Sequence, residues 1–226
     1  MKKHKSCLTI IISGIIAFTG PGQIFTQQHD ARNIVKAIDE LYRTESSRAT
    51  MEMEIVTPHW QRTLKMNIWT KGTDKTFIRI TKPNKEAGTA TLRIGDEMWN
   101  YLPRTNKVIK IPPSMMMGSW MGSDFNNNDL VNEFSLLDDY TYELIEPDTA
   151  KPDYLYIKAE PKPDLPIVWG KQIVTVRESD YIPVREEYYD ESGKLMRVLK
   201  FRDIQQFDDR QIPAIMEMNP KTEEGN

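Results

Sequence analysis

The hydrophobic positions change period once along the chain. In "DARNIVKAIDELYRTE" (30–45), Ile34, Ile38 and Leu41 recur at helical spacing with Val35 and Tyr42 beside them. Asp30 stands where an N-cap belongs, so the segment predicts an amphipathic helix. From Ala49 the period becomes two. "ATMEMEIVT" sets Ala49, Met51, Met53 and Ile55 against Thr50, Glu52 and Glu54, and "WQRTLKMNIWT" sets Leu64, Met66 and Ile68 against Lys65 and Asn67. A tight turn at Pro58–His59 joins the two as a hairpin. Its register places Met51 opposite Met66 and Met53 opposite Leu64, all four on one face.

Short runs of the same kind follow, bounded by Gly, Pro or Asn: "KTFIRIT", "GTATLRIGD", "EMWNYLP" and "NKVIKIP", then "YTYELIE", "YLYIKAE", "KQIVTVRE", "PVREEYYD" and "KLMRVLKFRDI". "SGK" at 192–194 is a hairpin turn. Between the two groups, "NDLVNEFSLLDD" returns to helical spacing at Leu130, Phe134 and Leu137. The sum is about ten short strands in antiparallel order without βαβ spacing, one N-terminal helix and one central helix. That predicts a mainly β chain, a single large curved sheet with helices laid on it. "RQIPAIMEMNPKTEEGN" reads as one more strand and a turn with no returning partner. Because natural sheets cover apolar edges, the chain reads as a fragment short of its last strand or two, with a disordered polar tail as the alternative.

The N-terminus changes the picture of where the chain works. "MKKHKS" is cationic, Cys7–Phe18 is an apolar run short for a bilayer, and "TGPGQ" supplies small residues for cleavage after Gly22. Residues 1–22 read as a signal peptide and 23–226 as one exported, soluble domain. An uncleaved anchor is the alternative. Cleavage removes three lysines and no acid, leaving 27 bases against 33 acids. The resulting charge of −6 excludes a nucleic-acid partner. It also opposes long-range attraction to anionic membranes, though not peripheral or transient apolar contact with lipid. The only cysteine leaves with the signal, so the core must hold without disulfides.

Candidate chemistry is sparse. His4, His29 and His59 have no partner at triad or ligand spacing, Ser119 and Ser123 have no positioned base, and no phosphate-binding glycine loop appears. No catalytic residue, metal site or cofactor is expected. "DFNNND" places Asp124, Asn126 and Asn128 at calcium-loop positions, but Asp129 replaces the required glycine and Ser135 the bidentate glutamate. A helix cap at Asn128, with Asp129 favouring the positive helix end, is the better reading.

What remains is apolar. "MMMGSWMGSDFNNNDL" (115–130) crowds Met115, Met116, Met117, Trp120, Met121 and Phe125 into a Gly- and Asn-rich loop. Methionine adapts to irregular shapes, and consecutive residues cannot all enter one core. Some of Met115–Met117 and Trp120 should therefore face a second apolar environment: a ligand, a lid, a partner or bilayer. Together with Met51, Met53, Leu64, Met66, Ile68, Trp99, Tyr101, Leu130 and Phe134 they are the candidate lining of an apolar cavity or its lid, with ordinary core packing as the rival.

The segment Gly95–Leu130 resembles the signature of the outer-membrane lipoprotein-sorting (LolA-like) family. The matching residues are Trp99, Tyr101 and Pro103, then Val108 and Ile111, then Gly122, Ser123, Asp124, Phe125, Asp129 and Leu130. The resemblance implies an unclosed antiparallel β-barrel wrapped over lid helices. It implies a non-enzymatic periplasmic carrier whose apolar cavity takes acyl chains of lipids or lipoproteins, with an inner-membrane transporter as donor and an outer-membrane acceptor. A sensing or interaction domain of the same fold is the alternative. Arg62, on the Met51/Met66 face, is the candidate for the family's lid-gating arginine.

Overall fold

The computed structural model describes residues 30–42, 45–116, 118–127, 129, 136–165 and 167–221. The proposed signal peptide, Met117, Asn128, Leu130 and Phe134 lie outside the described residues.

Helix α1 (Ala31–Tyr42) begins where its cap is supplied. The Asp30 carboxylate accepts the Arg32 N–H at 3.0 Å, and its carbonyl accepts those of Asn33 and Ile34. Ile34, Val35 and Ile38 lie on one side of this helix and are buried.

Two six-stranded sheets follow, each an antiparallel meander in sequence order. Sheet 1 comprises β1 (Ser46–Val56), β2 (Gln61–Lys71), β3 (Lys75–Lys82), β4 (Ala90–Ile94), β5 (Glu97–Leu102) and β6 (Lys107–Lys110). Sheet 2 comprises β7 (Tyr140–Ile145), β8 (Tyr154–Pro161), β9 (Lys171–Arg177), β10 (Pro183–Tyr189), β11 (Leu195–Phe207) and β12 (Arg210–Pro220). The first hairpin has the register expected from its alternation, with Met51 facing Met66 and Met53 facing Leu64. The turn at 192–194 uses Gly193 at φ 84°, and Asp190 N–H closes it on the Lys194 carbonyl at 3.0 Å.

The architecture is mainly β and unclosed, and it differs from the expectation in two respects. Twelve strands form among the described residues rather than about ten, the C-terminal run included, because β12 pairs with β11 through Phe201–Met216 and Leu199–Met218. They make two sheets rather than one, because β6 and β7 do not pair. Between them the described residues hold a 3-10 turn (Pro113–Met115), a folded loop and the short helix α2 (Leu136–Asp139). The central helix expected over 130–137 is described only at α2. No helix among the described residues is long and apolar enough to cross a membrane.

Each sheet has its own cover. Ile34, Val35 and Ile38 of α1 pack on Ile157, Val174 and Val176 of sheet 2, with Leu136 and Leu137 of α2 at the margin. On sheet 1, Ile55, Leu64, Met66, Ile78, Ile80 and Met98 form the covered face, and among the described residues the cover is the loop that carries Trp120. Ile157→Ala should cost about 2–5 kcal/mol of unfolding free energy by opening a cavity under α1. Val108→Ala, at an exposed position of β6, should change stability by less than about 0.5 kcal/mol. Urea unfolding of the two variants checks the contrast.

Candidate functional site

The stretch 113–129 closes on itself before it touches anything else. The Asn127 side chain donates to the carbonyls of Met115 (3.0 Å) and Gly118 (3.1 Å), and its backbone N–H donates to Gly118 as well. Trp120 N–H reaches the Phe125 carbonyl at 2.7 Å. Ser119 Oγ donates to the Ser123 carbonyl and Ser123 Oγ to that of Trp120. A loop whose polar backbone is satisfied internally can press an apolar side chain onto a sheet without stranding donors.

That side chain is Trp120, only 2% exposed among the residues of the covered face of sheet 1. Its Nε1–H donates to Thr91 Oγ1 at 3.1 Å, and Thr91 donates onward to Asn100 Oδ1 at 2.7 Å. The indole thus buries its ring and still satisfies its one donor. Met116 and Met121 are half-buried against the same cluster. Met121 and Gly122 both adopt positive φ (54° and 73°), which turns the chain sharply after Trp120. At Gly122 a Cβ would also meet Arg62 Nη2 at 3.4 Å, so the glycine answers to both backbone and space.

Arg62 holds the loop from below. It projects from β2 on the covered face, and its Nη2 donates to the Met121 carbonyl. Nη1 lies 3.5 Å from Glu86 Oε1 in the β3–β4 connection. The sequence expectation that this arginine shares the Met66 face therefore holds in the geometry.

A second anchor ties the stretch to sheet 2. Asp129 accepts two hydrogen bonds from Arg197 of β11, at 2.7 and 2.8 Å, with both side chains nearly buried. Asn126 and Asp129 exchange reciprocal bonds, Asn126 N–H to Asp129 Oδ2 at 2.9 Å and Asp129 N–H to Asn126 Oδ1 at 2.8 Å. This is a capping box, with Asn126 in the role expected of Asn128. Arg197 also stacks on Trp169 and Tyr188, 4.5 and 4.4 Å from the ring centroids.

Beside Arg197 sits a half-buried carboxyl. Glu186 shares its face of sheet 2 with Val174 and Leu199, its cross-strand partners, and accepts the Tyr188 hydroxyl at 2.5 Å. Burial holds Glu186 above the ordinary carboxylate range, opposed in part by the Tyr188 hydrogen bond and the Arg197 charge. Burial likewise pushes the Tyr188 phenol well up, and the Glu186 charge adds to it.

The structure brings together only part of the expected lining. Leu64 and Met66 are fully buried, and Met53 and Ile68 join them with Met116, Trp120 and Met121. Phe125 is half-buried in the loop. Met51 and Met115 are 45% and 56% exposed and stand outside the cluster. Trp99 and Tyr101 are on the opposite face of sheet 1, because in β5 the alternation gives the covered side to Met98. There they line a wholly apolar recess of about 380 Å³ with Phe77, Ala90, Leu92, Ile94 and Val108. Trp120 does not face a second environment. It fills the space over sheet 1 that the sequence reading leaves for a ligand. The pairing of Asp129 with Arg197 and the roles of Glu186 and Thr91 had escaped that reading. The available signal was a charged residue at an inward position of an apolar strand, as in "LMRVLKF".

Two outcomes follow from the anchors. Asp129→Ala leaves a nearly buried guanidinium without its partner and should cost about 3–5 kcal/mol, whereas the double variant Asp129→Leu/Arg197→Met should recover most of that loss. Urea unfolding of the cycle measures it. Glu186 binds its proton more tightly folded than unfolded, so its contribution is full below the ordinary carboxylate range. It is lost as pH rises through the elevated folded value. Glu186→Gln should therefore flatten the fall in stability from mildly acidic to neutral pH, and parallel curves for the two proteins would contradict it.

Known proteins place this geometry. A family model described as "Uncharacterized protein" matches residues 72–226, while no curated protein matches the sequence. Three solved structures superpose well. A DUF1329-family protein from Desulfovibrio piger is 23% identical with a TM-score of 0.75, over 84% of this chain and 84% of that one. An outer membrane lipoprotein-sorting protein domain from Vibrio parahaemolyticus is 25% identical with a TM-score of 0.72, over 84% and 85%. A LolA-superfamily protein from Nitrosomonas europaea is 20% identical with a TM-score of 0.69, over 86% and 87%. The fold is that of the LolA-like lipoprotein-sorting proteins that the Gly95–Leu130 segment resembles, and the chain belongs to the family whose model spans residues 72–226.

Proposed function

We propose that this protein is a periplasmic carrier that binds the acyl chains of a lipid or lipoprotein on the covered face of sheet 1 and passes them towards the outer membrane. The observation that carries the reading is Trp120. Among the described residues, the apolar face of Leu64, Met66, Ile78, Ile80 and Met98 is closed by the Trp120 indole on a self-contained loop. An acyl chain that displaced Trp120 would find an aliphatic surface already formed, edged by the adaptable side chains of Met116 and Met121.

Magnitudes make the exchange reversible. A dozen buried methylenes contribute roughly 10 kcal/mol gross. Removing a tryptophan from its packing costs about 3–5 kcal/mol, and ordering the chain takes several more. A small favourable balance suits a protein that must release its cargo as well as take it. The reading assigns no catalytic step: the described residues of the site offer thioethers and hydrocarbon. The fold shared with lipoprotein-sorting proteins supports the cargo class and the compartment.

The test uses a fatty acid brominated in mid-chain, which quenches nearby indoles. Binding should quench the native protein, and Trp120→Phe should lose the larger part of that quenching while still binding. Met116→Ser/Met121→Ser should weaken binding. Vesicle-to-vesicle transfer of a labelled lipid distinguishes a carrier from a domain that binds without transporting. Absence of quenching in the native protein would reject the site.

A further inference from the structure

The outer face of sheet 1 carries a second apolar surface, on the side away from Trp120. Strand register aligns one residue from each of the six strands in a row: Arg48, Trp69, Phe77, Leu92, Trp99 and Lys110. The four middle members are apolar. The two ends are cations stacked on the terminal indoles, Arg48 over Trp69 and Lys110 over Trp99, each 5.6 Å from the ring centroid. Beside the row lies the apolar recess floored by Ala90 and edged by Ile94. Phe77, Leu92 and Ile94 are all more than a third exposed. A contiguous face of this kind marks an interaction surface rather than ordinary scattered exposure.

Charge indicates what covers it. Residues 45–112, which contain all of sheet 1, carry twelve Lys and Arg against seven Asp and Glu, while residues 113–221 carry twelve against twenty-one. The net negative charge of the chain therefore belongs to its second half, and the first half is basic. On the outer face itself Lys71 and Lys75 are direct cross-strand partners, with Arg79 further along β3. Like charges directly opposite are unfavourable unless an anion lies over them. The face also carries acids: Asp74 approaches Lys75 at 3.7 Å, Glu97 pairs with Lys110, Glu52 pairs with Lys65, and Glu54 lies beside Glu52 on β1. Arg48, Lys65, Lys71, Lys75, Arg79 and Lys110 still outnumber them.

We propose that the outer face of sheet 1 docks on an anionic lipid bilayer. Trp69 and Trp99 sit at the headgroup level, where indoles concentrate. Phe77, Leu92 and Ile94 meet the boundary of the acyl region, and Arg48, Lys71, Lys75 and Arg79 meet the lipid phosphates. Docking stands on this face alone and does not depend on acyl binding over the other face. It would bring a membrane to one side of the sheet while leaving the Trp120 loop free on the other.

Vesicle flotation tests it, using the chain from residue 23, which keeps every described element. The vesicles are phosphatidylcholine alone or in equal parts with phosphatidylglycerol. The protein should float with the anionic vesicles and not with the neutral ones, and added salt should release it. Leu92→Asn/Ile94→Asn should weaken binding by about tenfold or more, and Lys71→Gln/Lys75→Gln by several-fold. Both should keep the native unfolding temperature and native quenching by brominated fatty acid. A protein that floats but binds no fatty acid keeps this proposal and rejects the carrier reading alone. No flotation, or flotation indifferent to both variants, overturns the proposal. So does a dimer in sedimentation that Leu92→Asn/Ile94→Asn dissociates, which would assign the face to a second copy of the chain.

Discussion

Two open antiparallel sheets each need one apolar face hidden from water. Helix α1 spends its buried residues on sheet 2. Among the described residues, the cover of sheet 1 is the loop through Trp120, whose indole packs into the apolar cluster of that face. An aromatic ring of that size covers about 150–250 Å² of surface, which no single aliphatic side chain can match. Most of the local chemistry answers this requirement. Thr91 receives the indole N–H, Met121 and Gly122 take positive φ to reverse the chain, and Arg62 clasps the Met121 carbonyl at the reversal.

The two covers differ in how they are held, and that difference gives the functional reading its direction. The α1 interface is aliphatic on both sides, with three buried residues of the helix against three of the sheet. The loop rests on one ring and two half-buried thioethers and is pinned by polar contacts, Thr91 and Arg62 of sheet 1 at Trp120 and Met121 and Arg197 of sheet 2 at Asp129. Elements with few buried apolar contacts open at lower free energy than those with many. The loop is therefore the cover that an apolar ligand can exchange with.

Local structure was legible where a single period governed it. The alternation of "ATMEMEIVT" and "WQRTLKMNIWT" specified both the hairpin and its register, since a slip of one residue would reverse every methionine. Asp30 was readable as a cap because nothing else stands before the helical stripe. The division into two sheets was not, because it depends on what residues 111–139 do, and a Gly- and Asn-rich stretch carries no period. The side taken by Trp99 and Tyr101 was hidden for another reason: both faces of β3–β5 are apolar, Ile78, Ile80 and Met98 on one and Phe77, Leu92 and Trp99 on the other. Alternation separates the faces without saying which is covered. Asn126, Asn127 and Asn128 are equivalent as caps until Asp129 returns a bond to one of them, and Asp129 itself finds Arg197 across a separation in sequence that no local pattern reports.

The central claim is that the Trp120 loop is a removable cover while the sheet beneath it is permanent. Hydrogen–deuterium exchange with peptide resolution, on protein with and without bound fatty acid, addresses it most directly. The account predicts that acyl binding speeds exchange at Trp120 and Asn127, whose N–H groups close the loop, and leaves β2 and β3 as protected as before. Equal or greater protection of the loop on binding would contradict it, because the ligand would then be leaving the cover in place.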